Sequence, residues 1–332
     1  MTQFILDPAL PQSMLKACPA YAESPLVKAD LDGQPYWIKD ETQRMGLNAF
    51  KAVGGVYAVA MLILRQIGSD DPLALTTGAG RAQAAQMEFI CASAGNHGMS
   101  VAKGAQIFGA KARIHLSATV PDGFADRLRA VGATVVRSGK DYEESVALAV
   151  TDAQDRGSVH LADGAWPGYT EEPRLVMEGY TIIAEEMRAK FEANQDWPSH
   201  VFLQAGVGGL AGSVAHMIRM RWAVQPKIIV AEPSFAPCLK ESVAAGQLTR
   251  VTGPVSGMGR LDCKDASLIA FDILKDAADA FETITEKEGA AAVDLAAQMG
   301  VASTASGCAG LAVAHRYGPM DNPLVILSEA PT

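Results

Sequence analysis

Cysteine is scarce in this sequence, with five residues in a chain of 332. The five are Cys18, Cys91, Cys238, Cys263 and Cys308, and no two of them form a Cys-x-x-Cys pair. A disulfide scaffold and a zinc knuckle are therefore not indicated, and we expect no metal site.

Positive charge and long apolar runs are also lacking. Twenty-eight Lys and Arg stand against 37 Asp and Glu, a formal net charge of −9. This balance argues against a nucleic acid or an anionic membrane as partner. The longest apolar run, residues 53–64, is too short to span a bilayer, and no secretory signal is visible at the N-terminus. We therefore expect a cytoplasmic protein.

What is present is an alternation of strand and helix patterns in a composition of 49% hydrophobic and 20% charged residues. Residues 1–35 are expected to be irregular apart from 24–27. The predicted strands are 36–39, 88–92, 112–116, 134–137, 159–161, 201–205, 227–232 and 323–327. The predicted helices are 50–66 with Asn48 as cap, 99–108, 123–131, 142–156, 170–194 interrupted at Pro173, one that follows residues 206–212 and ends at 220, 268–281, 286–299 and 310–317. Such alternation predicts an α/β fold with parallel sheets covered by helices.

A single lysine, Lys51, precedes the apolar run of residues 52–64. Apolar neighbours disfavour the charged ammonium, so we expect a lowered pKa and an amine that can attack an aldehyde. Lys51 is therefore a candidate Schiff-base lysine. The ordinary alternative is a lysine in the first turn of a helix, with its charge in water.

A glycine-rich turn, residues 206–210, follows a predicted buried strand and opens a helix. Backbone amides in such a turn, together with the positive end of the helix, favour a phosphate group. Glycines also allow tight packing without any ligand. A rival interpretation is a nicotinamide dehydrogenase, because Gly206, Gly208 and Gly212 approximate a dinucleotide fingerprint. In that case Glu232 would lie where a ribose-binding acid belongs.

Two further turns follow predicted strands, where parallel-sheet proteins place ligands. Residues 93–98 expose backbone amides, the Ser93 hydroxyl and the Asn96 amide, which suit a carboxylate and a cofactor oxygen. A helix-capping turn and a structural His97 are the alternatives. Asp163, beside Trp166 and apolar strand ends, is expected to have a raised pKa and to act as a base. An ordinary Asp turn is the alternative there.

Lys51, the 95–98 turn, the 206–209 loop and Ser328 occur in the order found in fold-type II pyridoxal-phosphate enzymes, which this chain resembles. Within that group, which includes threonine dehydratases and serine racemase, it is most similar to diaminopropionate ammonia-lyases. The similarity covers roughly residues 20–330. It rests on residues 40–55, which contain Gly-Leu-Asn-Ala-Phe-Lys, on 165–170 and 203–208, and on Glu232-Pro233 with Cys238.

The resemblance implies how pyridoxal phosphate would be held. Lys51 would bind it covalently, with Phe50 against the ring. Asn96 would contact the ring hydroxyl, and Ser328 would bond the pyridine nitrogen. The phosphate would lie in the loop made of Gly206, Val207, Gly208, Gly209 and Leu210.

The resemblance also implies roles towards the substrate. The 93–97 turn would hold its carboxylate, through Ser93, Ala94, Gly95 and His97. Asp163, or Lys51 once displaced, would take the α-proton of an L-configured substrate. Ala94 stands where the family has an aspartate that serves the opposite face. Since alanine cannot exchange a proton, we expect restriction to L-substrates.

The segment 257–265 departs from the family. Arg260 can pair with a distal carboxylate, because its fork matches that geometry. A solvated surface loop is the alternative, and Asp262 would instead favour a distal ammonium. Cys238 and Cys263 match family positions that can lie close together.

The resemblance implies a large domain of residues 1–88 and 170–332, a small mobile domain of residues 89–169, and a homodimer. It implies α,β-elimination on a β-substituted L-amino acid of the 2,3-diaminopropionate type, giving a 2-oxo acid and ammonia. One alternative is dehydration of serine, threonine or 3-hydroxyaspartate. The others are a nicotinamide-dependent oxidoreductase and a pyridoxal-phosphate-binding protein without turnover.

Overall fold

The computed structural model describes residues 4–18, 21–93 and 95–331. Its strands are β1 (Leu26–Leu31), β2 (Gln34–Asp40), β3 (Glu88–Ala92), β4 (Lys111–Leu116), β5 (Thr134–Arg137), β6 (Val159–His160), β7 (His200–Gln204), β8 (Lys227–Pro233), β9 (Ala280–Ile284) and β10 (Leu324–Leu327). Its helices are α1 (Ala9–Lys16), α2 (Lys51–Ile67), α3 (Gly78–Ala84), α4 (Asn96–Phe108), α5 (Asp122–Ala130), α6 (Tyr142–Arg156), α7 (Glu171–Asn194), α8 (Gly209–Arg221), α9 (Cys238–Ala245), α10 (Leu268–Ala277), α11 (Glu286–Gln298) and α12 (Ala309–Tyr317).

A six-stranded sheet has the order β1-β2-β10-β7-β8-β9. Only the β1–β2 pair is antiparallel among its described neighbours. Val201, Phe202 and Leu203 on β7 are all fully buried. Consecutive buried residues on one strand mean that both faces of the sheet are covered, as in parallel sheets flanked by helices.

A second sheet has four parallel strands in the order β5-β4-β3-β6. Its strands come from one continuous part of the chain, residues 88–160. The predicted α/β class, with parallel sheets covered by helices, is confirmed.

Helix α2, which begins at Lys51, is buried where it meets α4 and α7. Its approach to α7 is close, because a Cβ on Gly179 would lie 2.7 Å from the Cα of Gly54. Larger residues at this crossing would push the helices apart and move the first turn of α2. Among the described residues, the structure contains no helix of the length and apolarity that a membrane crossing requires.

A buried charge network holds the loop that leads into α2. Arg44, 1% exposed, donates to the carboxylates of Glu41 and Glu186, each at 2.7 Å. The ammonium of Lys39 lies 2.5 Å from Glu186. Lys39 and Arg44 thus pair with Glu41 and Glu186. Buried charges need such partners of opposite sign. The network ties residues 39–44 to α7.

Three expectations about helices were wrong. Residues 9–16 form α1, because packing of the buried Leu15 and a hydrogen bond from Gln12 to Glu185 stabilise a short helix that local pattern did not indicate. Pro173 does not interrupt α7, since it lies in the first turn, where its missing N–H has no helical partner. Asn48 is left-handed, with φ +60°, and α2 has no side-chain cap.

Residues 268–281, predicted as one helix, divide into α10 and β9. Asp279 marks the break, because its amide donates to the carbonyl of Ile228 at 2.8 Å and its carboxylate accepts from the Ile228 amide at 2.7 Å. These two bonds align the following residues with β8. Helix α9 was not predicted, since its start depends on the carboxylate of Glu232 at the end of β8.

Candidate active site

The ammonium of Lys51 pairs with the carboxylate of Asp163. Lys51 is the first residue of α2, and Asp163 follows β6. Both side chains are 19% exposed, so the pair lines a recess rather than the outer surface. The contact joins the start of α2 to the segment that follows β6 of the small sheet.

The pair sets the protonation of both groups. Burial alone would lower the pKa of Lys51, but the carboxylate of Asp163 raises it well above its usual range. Burial alone would raise the pKa of Asp163, but the ammonium of Lys51 holds it below its usual range. The sequence-based directions for both groups were wrong, because each group supplies the countercharge that the other was assumed to lack.

The glycine loop 206–210 lies beside this pair. Gly208 has a φ of +97°, and a Cβ on it would lie 2.8 Å from the Cβ of Ala270. Helix α8 begins at the next residue, and no side chain caps it. The first amides of a helix have no partner within it and present a positive end. A Cβ on Gly209 would lie 4.0 Å from the carbonyl oxygen of Asp163, so these amides border the Lys51–Asp163 pair.

Two thiols flank the start of the loop. A Cβ on Gly206 would lie 3.0 Å from the sulfur of Cys263, and the sulfur of Cys238 lies 3.5 Å from the Gly206 carbonyl oxygen. Both cysteines are free. Burial raises the pKa of Cys263 to about 12, so the thiol is neutral at ordinary pH. The two family-matched cysteines therefore both contact Gly206.

In the 93–98 turn, the Ser93 hydroxyl accepts from the amides of Gly95 at 3.3 Å and Gly98 at 3.1 Å. These bonds correspond to the helix-capping alternative for this turn. A Cβ on Gly95 would meet nothing within 4 Å, so this backbone faces open space. The side chain of Asn96 donates to Glu329 at 2.5 Å. Ala94 lies outside the described residues, and the expectation for it stays a prediction.

His97 is 3% exposed, and its Nε2 lies 2.8 Å from the carbonyl oxygen of Leu161. Since a carbonyl can only accept, Nε2 carries the proton. Burial lowers the pKa of His97, so the ring is neutral. Its Nδ1 has no hydrogen-bond partner in the described parts of the chain. It is therefore an acceptor available to a ligand.

Phe50 and Ser328 lie next to each other. The amide of Phe50 donates to the carbonyl of Ser328 at 3.0 Å, and Ser328 is 4% exposed. The centroid of the Phe50 ring lies 5.4 Å from the nitrogen of Lys51 and 5.0 Å from the ring of Tyr180. The end of β10 thus adjoins the entry to α2.

Sequence reasoning missed three residues of this region. Tyr180 is 1% exposed, and its hydroxyl has no partner among the described residues. Tyr142 is 59% exposed, yet surrounding protein raises the pKa of its phenol, and Asp163 acts on it electrostatically. The exposed Tyr142 side chain is therefore near enough to Asp163 to interact with its charge. Glu329 is 3% exposed and directly follows Ser328. The sequence signal for Glu329 was an acidic residue close after an apolar strand, β10.

Glu232 does not serve as a ribose-binding acid. Its buried carboxylate accepts from the amides of Leu239 and Lys240, each at 2.8 Å. The nicotinamide-dependent alternative required Glu232 to bind a ribose, and this carboxylate is instead bonded to the start of α9. Within the described residues, no group of His, Cys, Asp and Glu side chains is arranged to hold a metal ion.

The arrangement fits pyridoxal phosphate. It combines an amine, helix-start amides that suit a phosphate, and two buried polar atoms, the Tyr180 hydroxyl and His97 Nδ1, that lack partners among the described residues. All of them lie around the Lys51–Asp163 pair, since the charges of Lys51 and Asp163 act on both Tyr180 and His97. Fold and site together define a fold-type II pyridoxal-phosphate enzyme.

The chain belongs to the pyridoxal-phosphate-dependent enzyme family, whose model matches residues 18–329. It is 36% identical over 280 residues to diaminopropionate ammonia-lyase of Salmonella typhimurium, a match that covers 80% of this chain and 69% of that protein. It is 32% identical over 246 residues to the Escherichia coli diaminopropionate ammonia-lyase, covering 74% of this chain and 62% of that protein. The crystal structure of the Escherichia coli enzyme in complex with D-serine superposes with a TM-score of 0.85 at 26% identity, covering 97% and 88% of the two chains.

A probable D-serine dehydratase of Pseudomonas aeruginosa is 30% identical over 236 residues, covering 68% of this chain and 51% of that protein. The matched region therefore spans about half to two thirds of these curated relatives. The cofactor class follows from the family. The substrate needs an argument from the site.

Proposed function

We propose that this protein is an ammonia-lyase that eliminates the β-substituent of an L-amino acid of the 2,3-diaminopropionate type, releasing a 2-oxo acid and ammonia. The observation that carries the proposal is the Lys51–Asp163 pair beside the amide loop 206–210. The likeness to diaminopropionate ammonia-lyases supports this substrate class.

In this proposal the amine of Lys51 is the covalent attachment point, and the amides of residues 206–210 bind the phosphate. Phe50 packs against the ring, while Asn96 and Ser328 contact its polar atoms. When bound, the cofactor's ring stabilises the negative charge left on the α-carbon after proton removal. The protein's part is to hold the substrate and to move protons.

Asp163 is proposed as the base. With pyridoxal phosphate attached to its amine, Lys51 would no longer face Asp163 as a free ammonium and would hold down the pKa of Asp163 less strongly. Burial then raises that pKa and favours uptake of a proton. Lys51, once displaced by the amine of the substrate, is the second candidate acceptor.

The 93–97 turn is proposed to hold the substrate carboxylate. The open space at Gly95 gives a carboxylate room beside the backbone, and Ser93 fixes the turn from within. His97 is neutral and offers Nδ1 as an acceptor, which suits an amino group better than a carboxylate. Ala94 supplies no acid for the opposite face, so L-configured substrates are proposed.

Residues 89–169 are proposed to form a small mobile domain that closes on residues 1–88 and 170–332 and excludes water from the site. Tyr142 would then stand at the closing face. A cytoplasmic homodimer is proposed as the working state. Sedimentation velocity would test the dimer, and a single species of about 35 kDa, the mass of one chain (34.9 kDa), would refute it.

The proposal is tested by supplying pyridoxal phosphate and measuring 2-oxo acid release from β-substituted L- and D-amino acids. L-2,3-diaminopropionate should be turned over, and Asp163→Asn should lower kcat by at least ~100-fold while cofactor binding persists. Asp294→Asn, an exposed carboxylate on α11, is the matched control and should leave kcat unchanged. Equal turnover of the D-isomer, or full activity of Asp163→Asn, would overturn the stereochemical or the base assignment respectively.

Serine dehydration is the second candidate. The likeness to a probable D-serine dehydratase, and the D-serine complex of the Escherichia coli enzyme, favour it. The same panel separates the two, because a dehydratase would release 2-oxo acid from serine at a higher kcat/KM than from 2,3-diaminopropionate.

A further inference from the structure

Glu329 links three segments of the site. Its carboxylate accepts from the side chain of Asn96 at 2.5 Å and from the hydroxyl of Thr304 at 2.5 Å. The Nε of Arg260 lies 3.1 Å from it. Glu329 therefore contacts the 93–98 turn, the segment before α12 and the 257–265 segment at once.

The partners of Glu329 are all donors towards it. Asn96 donates an amide proton, Thr304 a hydroxyl proton, and Arg260 carries a positive charge. Donors and a positive charge favour the ionised form of a carboxylate. Burial raises the pKa of Glu329, while Arg260, Thr304 and Asn96 act in the opposite direction and favour its negative charge.

Arg260 is itself fixed against the phosphate loop. A Cβ on Gly206 would lie 3.2 Å from the carbonyl oxygen of Arg260, and the Arg260 amide donates to the hydroxyl of Ser306 at 3.3 Å. The backbone of Arg260 thus borders the site. Its guanidinium, 25% exposed, pairs with a carboxylate that is only 4% exposed. The positive charge of Arg260 at this edge of the site is therefore balanced by the carboxylate of Glu329.

Building on the proposed function, we infer that Glu329 sets the charge class of the substrate. By neutralising Arg260 it removes the attraction that an arginine fork exerts on a distal carboxylate. A dicarboxylic amino acid would also be repelled by Glu329 itself. The site therefore accepts amino acids whose β-substituent is neutral or cationic and rejects those with a second carboxylate. This assigns Arg260 a role other than binding a substrate anion.

The inference is tested by the ratio of kcat/KM for L-threo-3-hydroxyaspartate to that for L-serine. Both lose a β-hydroxyl group and differ only in the distal carboxylate. Glu329→Gln should raise the ratio by ~10-fold or more, the value of one charge-assisted hydrogen bond. Glu329→Gln combined with Arg260→Ala should return the ratio to that of the wild type. Glu282→Gln, a carboxylate paired with Arg316 away from the site, is the control and should not change it.

Binding of succinate, measured by calorimetry, gives a readout without turnover. Succinate affinity should rise ~10-fold in Glu329→Gln and fall again in the double variant. If the wild type eliminates nothing from any amino acid, the proposed function fails, yet the succinate series still decides the inference about Glu329. An unchanged succinate affinity in Glu329→Gln would overturn it.

Arg260→Ala covers the case in which Glu329→Gln does not fold. It leaves the Glu329 carboxylate without its cation, so the kcat/KM ratio of L-2,3-diaminopropionate to L-serine should rise ~10-fold in favour of the cationic substrate. A purely structural Glu329–Arg260 pair would lower both values together and leave this ratio unchanged. That result would also refute the inference.

Discussion

At the level of single residues, the site is marked by polar atoms that are buried without partners. The hydroxyl of Tyr180 and Nδ1 of His97 have no hydrogen bond within the described residues. Leaving such an atom unpaired costs about 1–3 kcal/mol, so natural proteins keep few of them. Both residues lie close enough to Lys51 and Asp163 to interact electrostatically with them. A ligand that bonds them would recover this cost.

Tyr180→Phe should therefore act differently on stability and on function. Denaturant unfolding without cofactor should show a change between zero and about 1 kcal/mol of stabilisation, because no protein hydrogen bond is lost. Affinity for pyridoxal phosphate or for substrate should fall ~10-fold.

Tyr169→Phe is the matched control for that change. The hydroxyl of Tyr169 accepts from the amide of Ala162 at 3.0 Å and donates to the carbonyl of His160 at 2.9 Å. Its loss should destabilise the fold by about 1–2 kcal/mol. If Tyr180→Phe is as destabilising as Tyr169→Phe, the Tyr180 hydroxyl is bonded within the protein and the ligand assignment is wrong.

At the level of secondary-structure elements, the N-termini of three helices position residues of the site. Helix α2 begins at Lys51, α4 at Asn96 and α8 at Gly209, so three positive helix ends border one recess. An anionic cofactor and an anionic substrate carboxylate both suit such ends. The conformation of Gly208 decides where the α8 amides point.

Gly208→Ala should weaken cofactor binding by at least ~10-fold, because a Cβ there meets both Ala270 and Leu239 at 2.8 Å and the φ is +97°. The matched control is Gly246→Ala, where φ is +69° but a Cβ meets nothing within 4 Å. It should cost about 1 kcal/mol of stability and leave cofactor affinity unchanged. Equal effects of the two changes on cofactor affinity would contradict the loop assignment.

The start of α9 gives a pH prediction. Burial raises the pKa of Glu232 from its usual value of 4.5 to about 7. The unfolded chain then loses this proton before the folded protein does. The stability contributed by protonated Glu232 is complete below pH 4.5 and is lost as the pH rises through about 7.

Its size is at most about 3 kcal/mol, at roughly 1.4 kcal/mol for each pKa unit. The free energy of unfolding, measured by denaturant titration from pH 4 to 8, should lose this slope in Glu232→Gln. Glu241→Gln, an exposed position on the same helix, should retain the slope. A wild-type slope that survives Glu232→Gln would show that another group titrates.

At the level of the whole molecule, the parts carrying the two sheets are joined by the packing of α2 on α4 and, around the site, by polar contacts. Lys51 pairs with Asp163 and Asn96 with Glu329, and the guanidinium of Arg250 bridges Glu143 of α6 to Asp265. Arg250 and Glu143 are 49% and 65% exposed, so their ion pair contributes little to stability. The proposed closure would rearrange these polar contacts while α2 stays packed on α4.

Hydrogen exchange tests this closure. Adding pyridoxal phosphate and succinate should slow exchange in residues 93–98 and 206–210, because both segments become covered. The β1–β2 hairpin lies at the far edge of the large sheet and should not change. Uniform protection of hairpin and loops would indicate global stabilisation instead of closure.

The sequence predicted the sheet-forming strands well where apolar runs were flanked by glycine turns, as at β3 and β7. It also predicted one common site for Lys51, Asp163, Asn96, Ser328 and the 206–210 loop, because parallel strands end at a common edge of the sheet. It failed where a long-range partner decides the outcome. The Asp279 bonds that start β9 and the Glu329–Arg260 pair join residues distant in sequence, and the Glu232 cap of α9 depends on a turn between β8 and α9. Tyr180 lies within an ordinary buried helix and carried no local signal.

The central claim is that Lys51 holds pyridoxal phosphate. The most direct measurement is borohydride reduction of the protein incubated with the cofactor, followed by peptide mass spectrometry. The peptide containing Lys51 should carry a phosphopyridoxyl group, and the corresponding peptide of Lys51→Ala should carry none. A protein that is labelled on another lysine, or is not labelled at all, would contradict the account.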